Sequence, residues 1–231
     1  MRGLFDRGEL REFLQKVLRD VARQIEGLPE DEVLARSTED LLEELSALAT
    51  LKVPALSDDP VDGKVDETSK QVRDQFGRDR TYAVRGFTIG ATYEFTGDSR
   101  LFQYRPSTHL MTRFEATVGN GRLSVMSEQT GDDVDPAQAQ ASIARMIDPI
   151  RTELGHVEAD VGAHNARVAE QLRPIIERRK ELVQRRRSLA GALGFPISKR
   201  QDAPKSVPLA RKQIGAARSQ RSRPPTPTSQ L

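Results

Sequence analysis

The sequence predicts an α+β fold: a small, mainly antiparallel sheet with N-terminal helices, then a long kinked amphipathic helix and a disordered basic tail. Three changes of pattern predict it. Apolar residues recur at spacings of three and four near the N-terminus, alternate in the middle of the chain, and return to three and four from Asp135 onward. The expected organisation is a helix-plus-sheet body over residues 1–130, a heptad-like helical segment over 131–195, and a Pro/Ser/Arg-rich tail over 196–231.

Leu10, Phe13, Leu14, Val17, Leu18, Val21 and Ile25 form one apolar stripe, which predicts a helix from about residue 7 to 26. A second helix is expected over about 38–49. Ser37 or Thr38 caps it, and Leu41, Leu42, Leu45 and Leu48 give it an apolar face. "LKVPAL" reads as extended, because Pro54 forbids helix there, and "SDDPVDGKVDETSK" has the chemistry of turns and loops. In "GFTIGATYEF", Phe87, Ile89, Ala91, Tyr93 and Phe95 alternate as in a strand with one buried face. "FQYRP" is expected to be a short strand closed by Pro106. In "TRFEATVGNGRLSVMSE", Phe114, Ala116 and Val118 alternate into "GNG" and Leu123 and Val125 alternate out, the pattern of a tight hairpin. The N-terminal helices are expected to cover one face of this sheet.

From Asp135, an N-cap candidate followed by Pro136, the period is helical. Ile143, Ile147, Ile150, Leu154, Val157, Val161, His164, Val168, Leu172, Ile175 and Leu182 form a heptad-like, coiled-coil-type seam. Pro149 and Pro174 are expected to kink it, and Gly155 and Gly162 to weaken it. One long helix is preferred to a hairpin folded near Gly162–Asn165, because "GAHN" is a poor turn. The helix should stop near Gly191–Gly194. "RSQRSRPPTPTSQL" has too little apolar surface to order itself.

Composition narrows the function classes. The absence of Cys excludes disulfides, thiolate metal sites and a cysteine nucleophile. The N-terminus lacks the apolar stretch of a signal peptide, and no run approaches the ~20 apolar residues that span a bilayer. These features predict a soluble, cytoplasmic protein with no membrane partner. The net charge of +2 conceals an asymmetry: residues 171–231 hold 15 Lys/Arg against 3 Asp/Glu, and residues 1–170 hold 21 against 31. An acidic body with a basic end can fold back, associate head to tail, or attract a polyanion.

Chemistry-bearing motifs are few. Of the three histidines, His109, His156 and His164, His156 forms a Glu-x-x-His spacing with Glu153 on one helical face. A carboxylate-bridged di-metal bundle needs that motif twice, and the second copy is missing, so no metal site is expected. His164 lies in the apolar seam and reads as a hydrogen-bonded packing residue. The glycines of "RGFTIGATYEFTGDS" are strand and turn glycines without a phosphate-loop Lys, and no Gly-x-Ser-x-Gly elbow is present. Asp58–Asp59 and Asp132–Asp133 read as solvated loop carboxylates. No cofactor is expected, and an enzyme is disfavoured.

One strong signal remains. "RPIIERRKELVQRRRSLAGALGFPISKR", residues 173–200, has nine basic and two acidic residues. Arg178, Arg179, Lys180, Arg185, Arg186 and Arg187 lie one or two helical turns apart and are the candidate nucleic-acid-binding residues, suited to a non-specific phosphate contact. No aromatic residue interleaves them, so base stacking is not supported. A solvated outer helix face accounts for the same residues.

"GDSRLFQYRPSTHLMTRFEATVGNGRLSV" and the later "RRSLAGALGFPISKRQDAPKSVPLARKQI" resemble the N-terminal region of uncharacterised bacterial proteins. Those proteins carry a C-terminal restriction-endonuclease-like domain of the PD-(D/E)xK type. The resemblance covers about residues 30–215 and is most specific at Phe102–Thr108 and Leu193–Pro196. The family's catalytic residues belong to the later domain, which these 231 residues lack, so no catalytic residue is carried over. The resemblance implies an accessory or recognition module. The expected function is therefore a non-catalytic interaction module, with a basic end that contacts a polyanion or a long helix that binds a protein partner or a second copy. The alternative is part of a split or degenerate restriction-endonuclease-like enzyme acting on DNA.

Overall fold

The computed structural model describes residues 3–73, 81–131 and 134–194. The chain divides into a unit Met1–Pro196 and a unit Ile197–Leu231. The second unit, and with it the expected disordered tail, lies outside the described residues.

The first strand, β1 (Gly8–Glu9), pairs in parallel with β5 (Tyr104–Arg105). This pairing delays the first helix, α1 (Leu10–Gly27), beyond its expected start near residue 7. Leu10, Phe13, Leu14, Val21 and Ile25 are buried, as the apolar stripe requires. A short helix that the periodicity did not reveal, α2 (Glu30–Ala35), follows Pro29, and its first turn holds Glu30, Asp31 and Glu32. Those carboxylates favour the positive end of the helix dipole. Helix α3 (Thr38–Ala49) opens on a full capping box: Ser37 Oγ accepts from the Asp40 N–H, and the Asp40 carboxylate accepts from the Ser37 N–H.

The sheet runs β2 (Ala55–Leu56), β4 (Thr81–Thr96), β7 (Arg122–Thr130), β6 (Ala116–Gly119), with β3 (Asp62–Arg73) also paired to β4. All its pairings are antiparallel. The β6–β7 hairpin turns at Asn120 and Gly121, with φ of 52° and 74°. Two consecutive positive φ values are the tight hairpin turn that "GNG" predicts.

Strand β3 corrects a sequence expectation, since residues 62–69 fall within the stretch read as turn and loop. It pairs with β4 from Asp62↔Thr92 to Arg73↔Thr81. Its described residues are almost all exposed, so neither face imposes the alternation that marks a strand. The β4 edge supplies hydrogen bonds, and charged residues such as the Lys64–Asp66 pair (2.6 Å) protect the outer edge. "FQYRP" is likewise not a full strand. A 3-10 turn occupies Ser99–Gln103, and only Tyr104 and Arg105 are extended.

Helix α4 (Pro136–Leu193) is continuous for 58 residues, about 87 Å at 1.5 Å per residue. Pro149 and Pro174 lie inside it, and residues 162–165 are helical, so the hairpin alternative is excluded. Asp135 caps its start by accepting from the Ala137 N–H, and Gly194 ends it with φ 61°. α4 carries two successive cores. In the first, Ile143, Ile147, Ile150 and Leu154 pack in one cluster with Ala91, Tyr93, Leu123 and Val125 of the sheet. In the second, Val168, Leu172 and Ile176 pack with α1 and α3. It is therefore α4 that lies across the sheet, while α1 reaches only the margin of that core through Leu10, Phe13 and Leu14.

The seam also needs a correction at its end. Ile175 is half-buried and Leu182 exposed, whereas Ile176 and Val183 are buried. A strict seven-residue repeat drifts about 20° per heptad on a straight helix. After Val161, Val168 and Ile175 the contact face has moved one residue on.

A tight corner joins the sheet to the helices. Gly97 has φ 90°, and a Cβ there would sit 2.3 Å from the Val53 carbonyl oxygen, so only glycine fits. Next to it, Asp98 caps the 3-10 turn and binds the Arg100 guanidinium at 2.5–3.0 Å. Burial raises the affinity of the Asp98 carboxyl for a proton, but the bonds from Arg100 outweigh it and hold the group below the usual aspartate range. The stabilisation is complete above the unfolded-state value and is lost as pH falls through the lower folded-state value. Asp98→Asn is therefore expected to be less stable than the parent at about pH 6, with the gap narrowing as pH falls below the usual aspartate range. Urea denaturation across that pH range reads this, and an unchanged gap at low pH would show that the pair acts by shape instead of charge.

Candidate functional site

The polar residues of α4 that face the body hold loops in place. Glu153 is 1% exposed and accepts the Leu110 N–H at 3.0 Å, with His156 Nδ1 3.4 Å from the same carboxylate oxygen. Asp160 accepts both the Ser107 N–H (2.7 Å) and the Ser107 hydroxyl (2.6 Å). Together they fix the loop after β5. The Glu-x-x-His pair thus meets as its spacing implies, but its carboxylate is a loop anchor. Among the described residues no three His, Asp or Glu side chains are grouped to hold a metal ion. His164 Nε2 lies 3.1 Å from the Ala49 carbonyl oxygen, a hydrogen-bonded packing role. Beside it Asn165 clasps Leu51: its Oδ1 accepts the Leu51 N–H at 3.1 Å and its Nδ2 donates to the Leu51 carbonyl at 2.9 Å. His109 is exposed. Asp58 and Asp59 are exposed loop residues, and Asp132–Asp133 lies outside the described residues.

The six basic candidates separate into three groups. Arg179 and Lys180 are half-buried and turned inward. Arg179 donates to the Leu28 carbonyl (2.9 Å) and Lys180 to the Arg36 carbonyl (2.6 Å). Those carbonyls end α1 and α2, where a cation complements the negative end of the helix dipole. Arg186 pairs with Glu30 at 2.7 Å and Arg187 with Asp31, both in the first turn of α2. Arg185 and Arg178 remain outward. Arg185 is 3.6 Å from Glu181 one turn away, and Arg178 makes no hydrogen bond or ion pair with a described residue. Four of the six therefore tie α4 to α1 and α2, a role that local spacing does not reveal because the partners lie some 150 residues away in sequence.

The free end of α4 carries a second feature. After Val183 no residue as far as Gly194 is buried. Yet Leu182, Leu189 and Leu193 are exposed, Leu189 to 62%. With half-buried Ile175 they recur at spacings of seven, seven and four, so at 100° per residue they form one stripe beside the bundle-facing side. Arg178 and Arg185 border that stripe on its outer side, and Arg179 and Arg186 on its inner side.

No family model, curated protein or solved structure matches this chain. Among the described residues no helix is long and apolar enough to cross a membrane.

Proposed function

We propose that this chain is a non-catalytic interaction module that docks a protein partner along the free end of α4. The exposed Leu182–Leu189–Leu193 stripe carries the reading. A polyanion accounts for the bordering arginines but not for the leucines. A second copy of the stripe would bring arginines against arginines. An amphipathic helix with acidic flanks satisfies both, since leucines meet across the seam and carboxylates meet Arg178 and Arg185. The resemblance to the N-terminal regions of nuclease-type proteins supports an accessory role in such a system, in the cytoplasm.

The test uses the intact chain and a synthetic helix with Leu at the seam positions and Glu at the flanks, followed by calorimetry. Binding is expected, and Leu182→Ser with Leu189→Ser should weaken it at least about tenfold, as loss of central interface anchors does. Arg185→Gln should lower the salt dependence more than the affinity at high salt. If duplex DNA binds instead, insensitive to the leucine changes and lost on Arg178→Gln with Arg185→Gln, the surface is a phosphate contact and the reading fails.

A further inference from the structure

A second, independent surface lies at the opposite end of α4, where the start of β3 and the β4 strand face the helix's first turns. They enclose an open groove of about 760 Å³, within the size range of binding clefts. Its floor is apolar, formed by Ile89, Ala91 and Tyr93 of β4 and by Ile143 and Ile147 of α4. Val61 and Gly63 flank the floor. Val65, two residues further along β3, lies on the same face by strand alternation and is 67% exposed. Gly63 has no Cβ, and an added one would meet nothing closer than 3.7 Å, so the wall is notched between the two valines.

The rim has one sign. Asp58, Asp59, Asp62 and Asp148 line the groove, and Arg151 is the one basic residue in its lining. Arg151 is already committed: it donates to the Ser57 and Asp58 carbonyls at 2.8 and 2.6 Å and sits over the Tyr93 ring, 5.8 Å from its centroid. The carboxylates of Asp58, Asp59 and Asp148 form no ion pair with any described residue. Exposed Val61 and Val65 and half-buried Ile89, beside rim carboxylates without an ion-pair partner among the described residues, are complementary to a ligand that is itself apolar and cationic.

We propose that this groove binds an extended peptide segment in which apolar side chains alternate with Lys or Arg. The apolar side chains lie against Val61, Val65 and Ile89, one enters the notch at Gly63, and the cations reach the rim aspartates. From Val61 to Val65 the wall is about 13 Å long, which matches four to five extended residues at ~3.3 Å each.

The test titrates the intact chain with a fluorescent peptide of four Lys-Val repeats, with four Glu-Val repeats as the comparison. The Lys-Val peptide is expected to bind, with an affinity that falls as salt rises, and the Glu-Val peptide is not. Two sets of variants at exposed positions should each weaken binding at least tenfold: Asp58→Asn with Asp59→Asn and Asp148→Asn, which removes rim charge, and Ala144→Trp, which fills the groove. Thermal melts identical to the parent's confirm that both fold. The proposal is overturned by absence of Lys-Val binding at millimolar peptide. It is equally overturned by binding that survives Ala144→Trp, which would make it diffuse surface attraction. Sedimentation showing a dimer that Ala144→Trp splits would assign the groove to a second copy and also refute the peptide.

Discussion

Val161→Asp is expected to cost more than about 4 kcal/mol of folding stability, the range reached by a buried, unpaired charge. Val161 is 1% exposed and sits in the core that α4 shares with the sheet. The side chains it clusters with are apolar or aromatic, and none of them can pair with a carboxylate. A typical domain has ~5–15 kcal/mol in total, so the variant should melt far below the parent or fail to accumulate in folded form. Glu158→Gln, on the exposed side of the same helix, should lie within about 0.5 kcal/mol of the parent. Thermal and urea unfolding of the pair reads the difference. Similar melts for both would mean that this face of α4 is not buried.

The second large effect is expected at Asn165. Its side chain gives Leu51 both a donor and an acceptor, in the way a neighbouring strand would. Asn165→Leu keeps the branched shape and removes both bonds, leaving the Leu51 N–H and C=O without partners against the helix. Each such orphaned group costs roughly 1–3 kcal/mol, so the variant should lose about 2–6 kcal/mol. Arg167→Gln, two residues on and exposed, should change stability little. Chemical denaturation measures both, and a neutral Asn165→Leu would mean that water satisfies Leu51 and the clasp is dispensable.

How much of this was legible depended on whether a residue's partner was close in sequence or its face was buried. α4 was readable because Ile143 to Leu172 repeat every three or four residues and end at glycine. The β6–β7 hairpin was readable because the turn itself demands Asn-Gly chemistry. β3 was hidden: its described residues are almost all exposed, so hydrogen bonds to β4 and not an apolar period define it. α2 has a single buried residue, Val33, too few for a period. The swap of Ile175 for Ile176 depends on helical drift and on the positions of α1 and α3, which local spacing does not contain.

The candidate surface was half legible. Clustering of Arg178, Arg179, Lys180, Arg185, Arg186 and Arg187 was plain, but their division into inward and outward groups required the distant Leu28, Arg36, Glu30 and Asp31. Leu182 belongs to the exposed stripe, although its spacing places it in the apolar seam. Four residues of that charge run are ties to α1 and α2, and Arg178 and Arg185 stay outward beside a short apolar face.

Hydrogen exchange along α4, measured on the intact chain with and without the acidic amphipathic helix, is the most direct measurement. In the free protein, amides of residues 143–176 should exchange slowly, because both cores clamp them. Those of residues 186–193 should exchange rapidly, since no residue of that stretch is buried. On addition of the acidic helix, exchange at 186–193 should slow at least tenfold while the sheet is unchanged. Fast exchange there that the acidic helix leaves unaltered, or protection already present in the free chain, would contradict a partner-docking role for the end of α4.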